Sequence, residues 1–408
     1  CWMLARGLLL RNVTRGFVRG TRWNSTRPPV TQLSEDERIL KESVRKFAEE
    51  EIRPLVSQMD SEGEMHKKVI DGCFEQGFMG LDIPEKYNGA GLNFFSSVLV
   101  IEELARVDPS VSVMVDVQNT LVNIAIQGWG TEKQKNQYLP RLATETLGSF
   151  CLSEWGSGSD AFALKTRAEV KGDKYVLNGT KAWITNAKQA GLFIVMANIA
   201  PEKGYKGITA FLVDRENPGL VVGKPEKKLG ICASSTCEVQ LNDCEVSKDA
   251  VLGELGKGYQ IAIQTLNKGR VGIGAQMLGC AQGAFDITVP YLNQRKQFNQ
   301  SLSDFQAVQH QVARAATDIE ISRVLVYNAG RGVAIEEGCE VQCSMAKLVS
   351  SETAERVAST CVNLLGGVGF TKDLGVEKYY RDAKIGQIYE GTSNIQLQTI
   401  AKKVFKSY

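Results

Sequence analysis

The sequence predicts an α+β fold, mostly α, with helical domains at both ends and an antiparallel β domain between them. Helical periodicity dominates residues 31–145 and 257–408, whereas residues 146–256 contain short runs with strand-like patterning. No helix-length segment separates those short runs, which argues against a parallel nucleotide-binding sheet. We therefore expect an N-terminal helical domain (31–145), a middle β domain (146–256) and a C-terminal bundle of four long helices (257–408).

The N-terminal domain is predicted to begin at a capping box. Ser34 and Glu37 have the spacing of this motif, and apolar residues follow at helical intervals until Pro54. Further helical stretches cover residues 69–78, 94–107, 111–129 and 132–142. A glycine-containing loop at residues 84–92 separates the first two of these stretches.

The middle domain is predicted from short runs typical of strands, bounded by turn-forming residues. The expected strands cover residues 166–170, 174–177, 181–185, 193–197, 207–214, 220–222 and 236–241. Asn178-Gly179 separates the second run from the third, and this dipeptide is typical of a two-residue hairpin turn. We therefore predict that the chain reverses at Asn178-Gly179.

The C-terminal domain is predicted from four long helical stretches. They cover residues 259–296, 305–336, 341–365 and 375–385. Many small residues on the first stretch indicate close packing against neighbouring helices. Gly272-Ile273-Gly274 resembles the start of a dinucleotide-binding fingerprint, but no strand precedes it, so we interpret it as helix packing.

Composition excludes several classes of function. The 408-residue chain has a net charge of +2, which gives no basis for nucleic-acid binding, and no uncharged apolar run is long enough to span a membrane. His66 and His310 are the only histidines, so neither a zinc site nor a serine triad is expected. The ten cysteines include no C-x-x-C pair, which favours reduced thiols over a disulfide framework.

The N-terminal segment is rich in arginine. Arginines recur among apolar residues, and no acidic residue precedes Glu35. This composition is typical of a mitochondrial transit peptide, which we place at residues 1–30, and it predicts location in the mitochondrial matrix. The alternative is a basic surface helix.

The candidate catalytic residue is Glu390, near the C-terminus. It precedes Gly391, and the next two residues, Thr392 and Ser393, are good N-caps for an apolar-periodic helix. This pattern places a carboxylate on a tight turn at the start of a helix, where it can point into a cavity. The alternative is that Glu390 only complements the dipole of that helix.

Two further segments could contact a ligand. Residues 150–160 form a glycine-rich and hydroxyl-rich loop whose backbone could present N–H and O–H groups to a planar ring or a phosphate. A simple linker would have a similar composition. Trp183-Ile184-Thr185 places an aromatic face beside a hydroxyl, as a ring-stacking wall requires, although an isolated tryptophan is more often a core residue.

Together these segments resemble the motifs of acyl-CoA dehydrogenases, and the resemblance covers everything after the N-terminal leader. The motifs that carry it are Leu152-Ser153-Glu154, Gly158-Ser159-Asp160, Trp183-Ile184-Thr185, Gly366-Gly367-Val368-Gly369-Phe370 and residues 388–396. Within this family the chain looks most like the short/branched-chain enzymes, which act on 2-methyl-branched acyl-CoAs.

The resemblance implies FAD as cofactor, acyl-CoA as substrate, a homotetramer built on the C-terminal helices and electron-transfer flavoprotein as electron acceptor. The FAD-binding residues that it implies are Phe150, Cys151, Leu152, Ser153, Gly158, Ser159, Trp183, Ile184, Thr185, Arg295, Gln306, Asn363, Gly366, Gly367, Thr392, Ser393 and Asn394. Arg295, Gln306 and residues 363–367 would bind the adenosine and pyrophosphate side, partly across a subunit boundary. The implied acyl-CoA-binding residues are Ser159, Tyr205, Tyr259, Asn267, Lys268, Gly269 and Arg270.

The resemblance also makes Glu390 the base that removes the α-proton of the thioester, while the β-hydrogen leaves as hydride to flavin N5. Burial by the acyl chain would raise the pKa of the carboxylate, and hydrogen bonds to the thioester oxygen would acidify the α-carbon. In the family those bonds come from the backbone N–H of the base and from a flavin ribityl hydroxyl.

Some branches of the family carry the base immediately before the residue equivalent to Arg270. This position is Gly269 here, which leaves Glu390 as the base and frees space for a branch methyl. We therefore expect FAD-dependent α,β-dehydrogenation of short, 2-methyl-branched acyl-CoAs to trans-2-enoyl-CoAs.

Three other functions are compatible with this sequence, and two of its residues need separate comment. The same site run in reverse would be a 2-methyl-branched enoyl-CoA reductase; an acyl-CoA oxidase and a non-catalytic flavoprotein scaffold are further alternatives. Trp155 stands where relatives usually have proline or alanine, and the sequence does not predict the consequence. Glu103 is a lone helical carboxylate that we expect to be solvated, the alternative being an approach to the acyl pocket.

Overall fold

The computed structural model describes residues 29–333 and 339–408. The predicted transit peptide, apart from its last two residues, lies outside these described ranges. Contacts unite residues 33–408 in one unit, which contains all the candidate site residues. Within the described ranges, no helix combines the length and the apolar character that crossing a membrane requires.

The N-terminal domain is helical, as predicted. Its α-helices are α1 (Glu35–Phe47), α2 (Val56–Glu62), α3 (Lys67–Glu75), α4 (Phe94–Ala105), α5 (Pro109–Asp116), α6 (Ile124–Trp129) and α7 (Glu132–Thr144). The capping box is confirmed, because the N–H of Ser34 donates to the Glu37 carboxylate at 2.9 Å and the N–H of Glu37 donates to Ser34 Oγ at 3.2 Å. A buried π-helical stretch, Val117–Asn123, joins α5 to α6 and continues their path.

Glu103 in α4 is not solvated. Its side chain is fully buried and accepts two hydrogen bonds from Arg45, at 2.8 and 3.1 Å. Lys41 forms a further ion pair with it at 3.1 Å. The expectation of a solvated carboxylate is therefore wrong, because α1 supplies the cations that a buried carboxylate needs.

The middle domain is an eight-stranded sheet. Its strands are β1 (Gly148–Cys151), β2 (Arg167–Lys171), β3 (Lys174–Thr185), β4 (Leu192–Asn198), β5 (Ile208–Asp214), β6 (Leu220–Pro225), β7 (Thr236–Ser247) and β8 (Val251–Leu252). The order is β6-β7-β3-β2-β4-β5-β8, with β1 beside β4. Most pairs are antiparallel, as predicted, but β1 and the start of β2 pair parallel to β4.

The hairpin predicted at Asn178-Gly179 is wrong. β3 continues through both residues and pairs with β7 on either side of them, with a bulge at this point. Gly179 is required there, because its φ is 152° and a Cβ would stand 2.4 Å from Oγ1 of Thr166. The turn between β2 and β3 is instead at Gly172-Asp173, where Gly172 has a φ of 66°. An Asn-Gly pair suits a bulge as well as a turn, and the continuous β7 partner decides between them.

The C-terminal domain contains long helices at the first three predicted stretches, but the stretch predicted at residues 375–385 is an α-helix of only 8 residues followed by a 3₁₀ turn. The α-helices are α8 (Gly258–Gln294), α9 (Gln306–Val333), α10 (Glu340–Leu365), α11 (Gly367–Phe370), α12 (Val376–Ala383) and α13 (Ser393–Ser407), and a small hairpin of β9 (Lys296–Gln297) and β10 (Gln300–Ser301) follows α8. Glycines on α8 permit close contact with α4. A Cβ at Gly279 would stand 2.1 Å from the carbonyl oxygen of Glu102.

A buried ion cluster connects all three domains. Lys378 of α12 donates to Asp108, the N-cap of α5, at 2.9 Å, and it also pairs with Asp382. Asp382 in turn accepts a hydrogen bond from the backbone N–H of Ile231, in the loop between β6 and β7. The three side chains are buried, so each charge depends on the others for compensation.

Candidate active site

Glu390 lies on a strained turn between α12 and α13. Its φ is 53° and that of Gly391 is 87°, so two consecutive residues are in the left-handed region. The side-chain amide of Gln396 donates to the carbonyls of Glu390 and Gly391 at 3.0 and 2.9 Å, and Lys347 Nζ donates to the carbonyl of Gly391 at 2.7 Å. A non-glycine residue in this region persists when its surroundings over-determine it, and these three bonds meet that condition.

The carboxylate of Glu390 is desolvated. Oε2 is buried and has no hydrogen-bond partner among the described residues, although the residue as a whole is partly exposed. Burial raises the pKa of Glu390 to about 7, against the opposing effects of Arg270 and Lys347. A carboxylate with a pKa near neutrality is suited to accepting a proton in catalysis. The backbone N–H of Glu390 likewise bonds to no acceptor in the described part of the chain, so it is available to a ligand.

Two cations influence this carboxylate, the partly buried Arg270 and the fully buried Lys347. Arg270 on α8 donates to Asn267 at 2.9 Å and to Ser344 at 3.4 Å, while its buried Nε has no partner in the ranges described. Burial lowers the pKa of Lys347 to about 8. The base is therefore near positive charge without forming a direct ion pair with it.

Two glycines on one face of α8 make room for carboxyl groups. A Cβ at Gly269 would stand 2.9 Å from Glu390 Oε2 and 2.9 Å from Leu121 Cδ2. A Cβ at Gly272 would stand only 1.9 Å from Asp116 Oδ1. Residues three apart on a helix are neighbours on its surface. Glu390 and Asp116 therefore contact α8 about one turn apart.

Asp116 is a buried acid that the sequence analysis missed. It accepts a hydrogen bond from Thr120 Oγ1 at 2.9 Å, and no cation contacts it among the described residues. Burial, and then the charge of Glu390, raise the pKa of Asp116 well above its usual range. The available signal was an acid within the otherwise uncharged run at residues 109–126.

The segment after β1 is fastened to β3. The N–H of Ala182 donates to the carbonyl of Ser153 at 2.9 Å. Lys181 Nζ donates to the carbonyl of Leu152 at 3.1 Å and to the carboxylate of Glu154 at 2.9 Å. The Leu152-Ser153-Glu154 and Trp183-Ile184-Thr185 motifs therefore belong to one rigid framework.

This framework presents an aromatic face and open backbone. Trp183 has a φ of 63° at a bulge of β3 and is 52% exposed. A Cβ at Gly158 would meet no atom within 4 Å, so a ligand can approach the backbone closely there. By contrast, the side chains of Cys151 and Ile184 pack in the core of the sheet, so they offer a ligand only their backbone. Ser393 Oγ is buried without a partner in the described part of the chain, and together these groups fit a flavin.

The other predicted FAD-binding residues form a separate cluster. Arg295 follows α8, Gln306 begins α9, and residues 363–367 end α10, so all lie at one end of the bundle and are mostly exposed. Arg295 lies 25 residues beyond Arg270, which corresponds to roughly 38 Å along a helix. Within one chain, the structure therefore does not bring this cluster to Glu390.

Five of the predicted acyl-CoA-binding residues, Tyr259 and residues 267–270, lie on the first part of α8, whereas Ser159 and Tyr205 come from the middle domain. Tyr205 and Tyr259 contact each other edge to face, with ring centroids 5.0 Å apart. Lys268 Nζ lies 5.9 Å from the centroid of the Phe94 ring and borders a cavity of about 280 Å³ that Asp82 also lines. Lys268 is thus directed at the N-terminal helices.

Family models, related sequences and a solved structure all match this chain to acyl-CoA dehydrogenases. The N-terminal, middle and C-terminal domain models of acyl-CoA dehydrogenases match residues 34–146, 149–244 and 256–405. The chain is 58% identical to the probable short/branched chain specific acyl-CoA dehydrogenase of Dictyostelium discoideum, covering 98% of this chain and 96% of that protein. It is 56% identical to the mitochondrial short/branched chain specific acyl-CoA dehydrogenase of Bos taurus, covering 93% and 88%. The solved structure of butyryl-CoA dehydrogenase from Megasphaera elsdenii superposes with a TM-score of 0.90 at 37% identity, covering 92% and 99%.

Proposed function

Because this chain belongs to the acyl-CoA dehydrogenase family, we propose that it oxidises short, 2-methyl-branched acyl-CoAs to trans-2-enoyl-CoAs with Glu390 as the base. The observation that carries this proposal is the buried, unpartnered carboxylate of Glu390, held on a left-handed turn beside Gly269. FAD is the cofactor of this oxidoreductase, and when bound it would supply the acceptor for the β-hydrogen, which would leave as hydride.

Glu390 removes the α-proton of the thioester. Its pKa of about 7 leaves a substantial ionised fraction at neutral pH, while desolvation makes the carboxylate a stronger base than an exposed one. The unpaired backbone N–H of Glu390 is a donor for the thioester oxygen, where charge develops as the proton leaves. Arg270 and Lys347 stabilise the ionised base before the transfer.

The absence of a side chain at Gly269 supports the preference for a branched substrate. A Cβ at this position would contact both the base and Leu121, so a side chain here would crowd the space that these two groups border. A methyl branch on the α-carbon needs that space. The relatives named short/branched chain specific support the same assignment.

The FAD site is proposed to be completed by a second subunit. Trp183, Thr185 and the loop at residues 152–159 would hold the flavin ring, with Thr392, Ser393 and Asn394 close to it. The adenosine side would contact Arg295, Gln306 and residues 363–367 of a neighbouring copy, since this cluster is far from Glu390 within one chain. Phe298 and Phe370, which are 89% and 84% exposed near that cluster, support its burial in a homotetramer.

Location, partner and domain division follow the same assignment. The arginine-rich leader and the relatives named mitochondrial support a mitochondrial matrix enzyme that passes its electrons to electron-transfer flavoprotein.

The division into residues 31–145, 146–256 and 257–408 is retained, because the change from helix to strand and back falls at these positions.

Anaerobic titration of the flavin tests this function. The purified protein is mixed with 2-methylbutyryl-CoA, butyryl-CoA or a longer acyl-CoA while the absorbance of the oxidised flavin is followed. We expect the branched substrate to bleach the flavin and Glu390→Gln to abolish bleaching without loss of bound flavin. The extent of bleaching, compared with that of the reverse titration of reduced protein by the 2-methyl enoyl-CoA, indicates which direction the flavin favours. A yellow protein that no acyl-CoA bleaches would refute the proposal.

A further inference from the structure

Trp155 has no role in the proposed reaction, yet the structure gives it specific partners. It is at the tip of a four-residue turn, in which Glu154 and Ser157 exchange backbone N–H···O hydrogen bonds of 3.0 Å. The Glu154 side chain is bound to Lys181 of β3 at 2.9 Å, two residues before Trp183. The turn is therefore fixed to the strand that carries the flavin-facing tryptophan.

The indole of Trp155 contacts that tryptophan directly. The ring centroids of Trp155 and Trp183 are 4.7 Å apart, and their planes are inclined by 66°, which is an edge-to-face arrangement. Trp155 Nε1–H donates to the carboxylate of Glu238 on β7 at 2.7 Å. Trp155 is 59% exposed, so burial of its side chain does not explain this arrangement.

Trp183 needs such a contact because the sheet does little to orient it. Its left-handed backbone turns the side chain out of β3, and half of the side chain is exposed. An exposed indole can adopt several rotamers, and fixing one of them costs conformational entropy. The edge of Trp155 and the anchor at Glu238 restrict that freedom in advance of cofactor binding.

We propose that Trp155 is a positioning residue that holds the Trp183 indole in the orientation in which it faces the flavin. This inference rests on the proposed function only in assigning Trp183 to the flavin site. Removing an aromatic edge contact shifts a rotamer equilibrium roughly two- to tenfold. Because the groups around a cofactor tune its electronics, Trp155 thereby influences the flavin without touching the substrate.

Circular dichroism of the flavin-loaded protein tests the contact. Two indoles in close, inclined contact produce an exciton couplet that neither produces alone, so Trp155→Phe and Trp183→Phe should each remove the same couplet and the double variant should remove no more. Trp129→Phe is the matched control, since Trp129 has no aromatic partner among the described residues. Strictly additive spectra of the two single variants would overturn the inference.

Flavin fluorescence and midpoint potential test the positioning itself. We expect the bound flavin of Trp155→Ala to change its fluorescence roughly twofold or more, because the quenching indole occupies its stacked rotamer less often. Trp155→Phe retains an aromatic edge and should recover most of the native value, and Glu238→Gln retains an acceptor and should lie close to it. Native fluorescence and potential in a flavin-loaded Trp155→Ala protein would refute the proposal. If Trp155→Ala does not fold, Trp155→Leu, which fills more of the same volume but lacks an aromatic edge, takes its place in the same comparison.

The outcomes separate this inference from the proposed function. A protein with an intact couplet whose flavin no acyl-CoA bleaches would refute the reaction but not the positioning. A protein that bleaches normally but has no couplet would refute the positioning alone.

Discussion

Gly269→Ala should reduce catalysis by displacing the base. The added Cβ would stand 2.9 Å from Glu390 Oε2 and 2.9 Å from Leu121 Cδ2, which is closer than such contacts normally are. Glu390 cannot withdraw freely, since Lys347 and Gln396 hold its turn. A misplacement of about 1 Å in a catalytic group can cost roughly 10²-fold in rate, so we expect flavin reduction to slow by about that factor.

The substrate dependence of this variant tests the pocket. Overpacking a filled site costs about 1–3 kcal/mol, so the preference for 2-methylbutyryl-CoA over butyryl-CoA should fall roughly fivefold or more. Stopped-flow flavin reduction with both substrates measures the two effects. Gly332→Ala is the matched control, because a Cβ at this helical glycine would meet no atom within 4 Å, and its rates should stay native. An unchanged preference in Gly269→Ala would refute the assignment of the branch methyl to this space.

Three further predictions concern buried ionisable groups. Burial raises the pKa of Glu390 from 4.5 to about 7, so the folded state binds a proton on this carboxyl more tightly than the unfolded state does. The free energy of unfolding therefore falls as the pH rises between these two values. Glu390→Gln should therefore raise the unfolding free energy at pH 8 by up to about 3 kcal/mol but not at pH 4, as denaturant titration would measure; equal effects at both pH values would contradict this. Burial raises the pKa of Asp116 well above its usual range and so favours the neutral acid. Asp116→Asn should therefore leave the pH midpoint of flavin reduction nearly unchanged, and a large downward shift would contradict this. Lys378→Met should lower the free energy of unfolding by about 3–5 kcal/mol, because it leaves two buried carboxyls uncompensated. The control Lys372→Met, at an exposed lysine, should have no effect. Equal melting temperatures for the two variants would contradict this prediction.

Local signals in the sequence were sufficient for much of the fold. The capping box at Ser34 and Glu37 depends on residues three apart, so its interactions follow from the sequence itself. The alternation of strand and helix patterns likewise predicted a β domain between helical domains, and the family match confirms this fold class. The error at Asn178-Gly179 arose because β7, about 60 residues later in the chain, decides whether the strand turns or bulges.

The sequence predicted those site residues that belong to a recognisable motif. It did not predict those that only the packing of distant segments brings to the site. Glu390 belongs to a recognisable segment, whereas Asp116 is defined by its burial against Gly272, more than 150 residues away. Lys347 was missed for the same reason. Its side chain reaches across from α10 to the carbonyl of Gly391, and no local pattern marks a lysine for such a role.

The placement of the base on a turn has a physical explanation in these contacts. A carboxylate on a helix would have its backbone N–H committed to the helical ladder, whereas the left-handed turn at Glu390 leaves that N–H unpaired beside the carboxylate. One residue can therefore offer both a base for the α-proton and a donor for the thioester oxygen. The strain of this turn is offset by the bonds from Lys347 and Gln396, which bind carbonyls rather than the carboxylate. The supporting groups thus fix the position of the base while leaving its carboxylate free to react.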